Sequence, residues 1–267
     1  MPRHANKPGA ALLFVTLGLF GLPLLAAAGP CGEASGSTEG ETIAAAEEYF
    51  PDTKGSQWKY RGQVLESPLQ KIAAGSFQNV STVQGVEPLQ GVSVKVFHDT
   101  NPGNHGPSNS YYRRDAVGIV YYGSRPGTPL EKQLVPYQIV RFPLVCPSSF
   151  QQLDRKRLNL GSDLDGDEKD ERVDVEASVS VVGRENIVVP AGTYQDAIRL
   201  EARMKMWIHL TGTNQTAVGT DVMTAWFARG VGLVKYVERQ ELPPIKSDRG
   251  LVTEITEELE EAEIKTR

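Results

Sequence analysis

Thirteen consecutive residues, Ile198 to Leu210 (IRLEARMKMWIHL), carry an apolar side chain at every even position. Arg199, Glu201, Arg203, Lys205, Trp207 and His209 fill the odd positions. Strict period two over this length predicts a strand with one buried and one solvated face. A helix would scatter the same residues around its axis. At roughly 3.3 Å per residue the run spans about 43 Å, twice the usual strand, so it needs long antiparallel partners.

The chain supplies them. Val173 to Val181 alternates valine or alanine with Asp174, Glu176, Ser178 and Ser180, the pattern of a half-buried strand. Val189-Pro190-Ala191-Gly192-Thr193 reads as a tight turn between that strand and the long one. Further runs with strand character are Gln57 to Leu65, Ser76 to Gly85, Val92 to His98, Tyr111 to Tyr122, Leu134 to Leu144, Ala217 to Ala228, Val231 to Glu238 and Gly250 to Leu259. Residues Ala44 to Tyr49 read as one helical turn stopped by Pro51, and Pro147 to Leu160 as irregular. Serial, hairpin-linked strands predict an all-β protein: a strongly curved antiparallel sheet or half-open barrel with long hairpins. The 267 residues suffice for one such domain over residues 44–267.

The N-terminus reads as an export signal over residues 1–28. Arg3 and Lys7 precede the apolar run Ala10 to Ala28, which ends in Ala26-Ala27-Ala28. Residues 29–43 read as a flexible linker rich in Gly, Ser, Thr and Glu. Cys31, just after the apolar run, is placed where a lipoprotein carries its diacylated cysteine, which would attach the protein to a membrane. Pro30 and Ala28 depart from the small residue and leucine that lipidation prefers there. The other reading is cleavage after Ala28, with Cys31 free or bonded to Cys146; an oxidising compartment permits that disulfide. The expected location is therefore the periplasm or an outer-membrane-attached position. A net charge of −5 argues against nucleic acid as a partner.

Three segments carry a resemblance: Tyr49-Phe50-Pro51 with GSQWKY (Gly55 to Tyr60), VPAGTY (Val189 to Tyr194) and WFARGVGLVK (Trp226 to Lys235). Together they resemble a group of uncharacterised exported bacterial β proteins, many of them lipoproteins. The resemblance implies a half-barrel fold, similar in outline to lipoprotein carriers, in the cell envelope. It implies no catalytic residues.

The sharpest local signal is acidic. Asp163, Asp165, Asp167, Glu171 and Asp174 fall at positions one, three, five, nine and twelve of one loop, with the carbonyl of Lys169 at seven. That spacing suits the oxygen-rich shell of Ca²⁺. It departs from an EF-hand loop in placing Gly166 at position four and Glu168 at six, and no helix flanks it. The alternative is a solvated acidic hairpin loop.

No Gly-x-Ser-x-Gly, P-loop or dinucleotide fingerprint occurs. The expected role is a non-enzymatic cell-envelope protein that binds or scaffolds something there, a hydrophobic ligand or another envelope protein. Two alternatives are a carrier for a hydrophobic ligand in the concave face, lined by Met204, Met206 and Ile208, and a hydrolase.

Overall fold

A computed structural model describes residues 40–67, 73–245 and 250–266. The expected export signal, Cys31 and most of the expected linker lie outside the described residues.

Fourteen strands are formed among the described residues: β1 (Glu41–Thr42), β2 (Gln57–Ser67), β3 (Ala73–Leu89), β4 (Val92–Asp99), β5 (Ser108–Asp115), β6 (Gly118–Arg125), β7 (Tyr137–Arg141), β8 (Val145–Cys146), β9 (Ser148–Asn159), β10 (Arg172–Val189), β11 (Gly192–His209), β12 (Thr216–Ala228), β13 (Gly232–Leu242) and β14 (Leu251–Glu263). One short helix, α1 (Glu131–Leu134), and 3-10 turns at Ala46–Tyr49 and Pro102–Asn104 complete the elements. Ala46–Tyr49 is the helical turn expected before Pro51.

Twelve strands form one antiparallel sheet in the order β7-β6-β5-β4-β3-β2-β14-β13-β12-β11-β10-β9. Every neighbour follows in sequence except one. β14 returns to pair with β2 in the middle, Leu259 opposite Tyr60. β1 and β8 make a separate two-stranded pair.

β11 is the strand that the alternating run predicts, and it is longer still. It pairs with β10 from Arg172–His209 to Val189–Gly192, and with β12 from Ile198–Phe227 to His209–Thr216. Pro190 and Ala191 make the two-residue turn between β10 and β11. Right-handed twist accumulates over strands of this length, and bulges such as those at Val83/Gly85 and Val181/Gly183 bend them further. The sheet curls into a nearly closed barrel. Its edge strands meet at a seam where Gln152 Nε2 donates to the Gln138 carbonyl at 3.0 Å and the Arg141 guanidinium lies 4.1 Å from the Phe150 ring centroid.

Three stretches differ from the sequence reading. Leu134 to Leu144 is strand only over Tyr137–Arg141, and Leu134 ends α1. Tyr111 to Tyr122 is a hairpin, β5 and β6, rather than one strand. Asp115 Oδ1 accepts the Val117 N–H at 3.0 Å, and Gly118 takes φ +142°. Pro147 to Leu160 is mostly the strand β9, bulged twice against β10; the shifts in register hide its alternation.

The inward side chains form separate clusters along the barrel. At one end Leu130, just before α1, and Leu134 within it pack on Leu153, Val173, Val175, Met206 and Ile208. Farther along β10 and β11, Ile43, Tyr49 and Phe50 pack on Val181, Ile198 and Leu200. A third gathers Trp58, Tyr60, Val83, Val234 and Leu259.

Candidate functional site

Between these clusters the concave face encloses a cavity of about 210 Å³. Its walls come from both halves of the sheet. β2 gives Trp58 and Tyr60, β3 Asn79 and Ser81, β4 Lys95, Phe97 and Asp99, β5 Ser110, Tyr112 and Arg114, β13 Tyr236, and β14 Glu257. Strand alternation sets this list. Paired antiparallel residues point to the same face, so Trp58–Ser81–Asp99 and Asn79–Tyr60–Leu259 form rows across the interior.

Aromatic rings run around the concave wall. Trp58 stacks on Phe97 at 6.2 Å, Phe97 meets Tyr112 edge-on at 5.4 Å, and Tyr121 continues the row at 5.3 Å from Tyr112 and 5.4 Å from Tyr137. Their polar tips are satisfied where they are buried. Trp58 Nε1 donates to the Val231 carbonyl at 2.6 Å and the Tyr60 hydroxyl to that of Leu233 at 3.0 Å. Tyr121 bonds to buried Glu131 of α1.

Set into this aromatic wall are carboxyl groups. Asn79 Nδ2 donates to Asp99 Oδ1 at 3.1 Å and to Glu257 Oε2 at 3.0 Å. The Gly103 N–H, from the turn after β4, donates to Glu257 Oε1 at 3.1 Å. Burial pushes Glu257 up to about 8 against the pull of these donors, and it raises Asp99 as well. Next to them on β13, Glu238 accepts from Gln240 Nε2 at 2.5 Å and Tyr236 at 3.4 Å. Burial lifts Glu238 well above the carboxylate range and Asp221 of β12 to about 8. Glu238 and Asp221 are each about 1% exposed.

The basic groups of the cavity sit at its other end, committed to Asp52. Arg114 Nη2 donates to Asp52 Oδ1 at 2.8 Å, and Arg114 Nη1 to the Phe50 carbonyl at 2.6 Å. Lys95 Nζ donates to the Asp52 carbonyl at 2.9 Å. No Lys or Arg among the described residues pairs with Asp99 or Glu257.

Met204, Met206 and Ile208 do not line this cavity. Met206 and Ile208 are fully buried in the cluster beneath α1, and Met204 packs against that cluster. Alternation names the inward face correctly, but it does not say where along a long strand the interior is filled.

The acidic loop between β9 and β10 is partly gathered. Carboxylate oxygens of Asp163, Asp165 and Glu171 lie within 4.8 Å of one another. Asp167 turns instead to Lys169 Nζ at 3.0 Å and to the Thr211 hydroxyl. Asp174 lies in β10, where its Oδ1 accepts the Arg157 N–H at 2.8 Å and its Oδ2 is 3.4 Å from His209 Nε2. Backbone donors hold the gathered carboxylates. Gly166 and Glu168 donate to Asp163 at 2.6 and 2.9 Å, Thr211 to Glu171 at 2.8 Å, and Gly212 to Asp165 at 2.8 Å. Of the five acidic side chains that the spacing offers to Ca²⁺, the fold gathers three.

Trp207, on the solvated face of β11, lies between Lys156 Nζ at 5.5 Å and Lys205 Nζ at 5.1 Å from its ring centroid. Cys146 is fully buried in β8 and is not a free thiol.

The fold defines a class: a curled, nearly closed antiparallel β barrel with a cavity on its concave face. No family model matches the chain, and no curated protein matches it. Two solved structures show a likeness. One is a Bacteroides fragilis protein described by its inferred export and YmcC-like fold, 14% identical over 80% of this chain and 98% of that one, with a TM-score of 0.35. The other is a Parabacteroides distasonis protein described as an inferred lipoprotein, 17% identical over the same shares, with a TM-score of 0.35. At such a score neither likeness bears on what this chain does.

Proposed function

We propose that the protein is an exported, non-enzymatic binding protein of the cell envelope that holds a small ligand against the aromatic wall of its barrel. The observation that carries this is the cavity itself. A filled interior would suit a scaffold, whereas this one leaves about 210 Å³ among Trp58, Phe97, Tyr112 and Tyr236. At ~30 Å³ per water this is room for roughly seven waters, below the ~300–1,000 Å³ of drug-sized sites. That size suits a compact molecule rather than an acyl chain.

Export rests on the N-terminal charge and apolar pattern. For Cys31 we favour a disulfide to Cys146 over lipidation. Pro30 is a poor neighbour for lipid attachment, and Cys146 is not a free thiol.

A hydrolase is the second reading, because Asp99 and Glu257 converge on one amide in a cleft. Acid–base pairs work when their surroundings push the two groups apart. Here burial pushes both upward, so binding ranks first.

The test is a titration with 2-naphthol followed by Trp fluorescence. Saturable binding that Ser110→Phe abolishes, with the melting temperature retained, supports the reading. Absence of saturable binding, or the same affinity in the filled variant, overturns it.

A further inference from the structure

Resting on that reading, we infer that the ligand of the cavity is a small organic cation, an amine or quaternary ammonium, seated between the aromatic rings and the carboxyl groups of Asp99 and Glu257. Three observations converge. The rings of Trp58, Phe97 and Tyr112 line the cavity, and aromatic rings attract a cation through their faces, Trp most strongly. Asp99 and Glu257 stand on the same wall, and their hydrogen-bond partners there are neutral: Asn79 for both and the Gly103 N–H for Glu257. The two basic groups at the far end already share Asp52. The wall therefore has acceptors in place for a positive charge; no Lys or Arg among the described residues pairs with them, and His98 is the one basic side chain whose charge reaches Asp99.

Burying an unpaired carboxylate is costly, so without a ligand such groups hold protons instead. A cation entering the cavity replaces that proton. The exchange balances: one cation enters, one proton leaves from Glu257 or Asp99, and the charge of the cavity is unchanged. The groups facing this pair are Tyr60 on β2, Asn79 and Ser81 on β3, His98 on β4, Tyr112 on β5, Tyr236 and Glu238 on β13, and Gly103 on the turn. The phenols are pushed upward by burial and stay neutral. His98 Nδ1 is 2.8 Å from Asn109 Oδ1.

Choline and its neutral isostere 3,3-dimethylbutan-1-ol, titrated calorimetrically into the full mature chain, provide the test. Choline should bind at least tenfold more tightly than the alcohol. Its affinity should rise with pH from 6 to 8, by up to about tenfold per unit where a whole proton is displaced. Glu257→Gln should erase the preference for choline and leave the alcohol unaffected. If that variant does not fold, Asp99→Asn and the wild-type pH series carry the same discrimination. Equal affinity for both compounds, or a flat pH profile, overturns the cation and leaves the small-ligand reading standing. If neither compound binds while 2-naphthol does, the cation again falls alone. If 2-naphthol fails as well, both fall.

Discussion

Asn79, on β3, donates one amide hydrogen to Glu257, on β14, at 3.0 Å. The two residues are 178 positions apart, and β2 lies between their strands. The same Asn79 nitrogen is 3.1 Å from Asp99 Oδ1, so one neutral side chain bridges the two carboxyls. Asn79→Asp is nearly the same shape but removes both donated bonds and adds a third acid. We expect a loss of about 2–4 kcal/mol at pH 8, since each buried bond to an acidic partner contributes ~1–3 kcal/mol. The loss should be smaller at pH 5, where the acids are protonated. Chemical denaturation at the two pH values measures it.

Stability should also fall as pH rises, in the ligand-free protein. Glu257 and Asp221 start near 4.5 and 3.8 when unfolded and are pushed up to about 8 in the fold. Between those limits the folded state holds protons that the unfolded state has released. Unfolding then becomes easier with each pH unit up to about 8, and the dependence levels off above it. The melting temperature should be higher near pH 5 than at pH 8.5. Asp221→Asn should flatten the slope. A melting temperature that rises over this range contradicts the assignment.

Gly118 closes the β5–β6 hairpin at φ +142°, and a Cβ there would lie 2.0 Å from the Val140 carbonyl oxygen. Backbone of the edge strand β7 cannot yield as a flexible side chain would. Gly118→Ala should cost about 1–3 kcal/mol, read by chemical denaturation. The seam between β7 and β9 should open with it, read as faster amide exchange at β7.

The acidic loop should hold its shape through its backbone donors. Chelation with EDTA is then expected to leave the melting temperature unchanged, while Asp163→Ala, which removes the acceptor for Gly166 and Glu168, should lower it equally with or without calcium. A rise in melting temperature on adding calcium that Asp163→Asn abolishes would instead assign the loop to a cation.

Much of the fold was legible because period-two alternation survives in strands with one buried face. β10, β11 and the turn Pro190-Ala191 could be read directly. β9 could not, because its bulges interrupt the period, and neither could the β5–β6 turn, because Ala116-Val117 is not a usual turn pair. The cavity was legible only in part. In β14, Thr253, Ile255, Glu257 and Leu259 share one parity, so Glu257 reads as inward between two apolar neighbours. In β13, Glu238 follows Val234 and Tyr236 in the same way. That signal was present, but an acid-rich strand suggests a solvated face. Met206 and Ile208 show the opposite limit: inward is not the same as cavity-lining, since α1 covers them.

Native mass spectrometry of the mature chain, isolated without denaturation from cells that export it, tests the central claim most directly. The wild-type protein should carry the added mass of a small molecule, lost on gentle activation and absent from Ser110→Phe. The polypeptide should also be two hydrogens light for the Cys31–Cys146 bond rather than heavier by a diacylglyceryl group. Identical bare masses for the wild type and the filled variant, persisting after incubation with choline and 2-naphthol, would contradict the assignment of the cavity as a binding site.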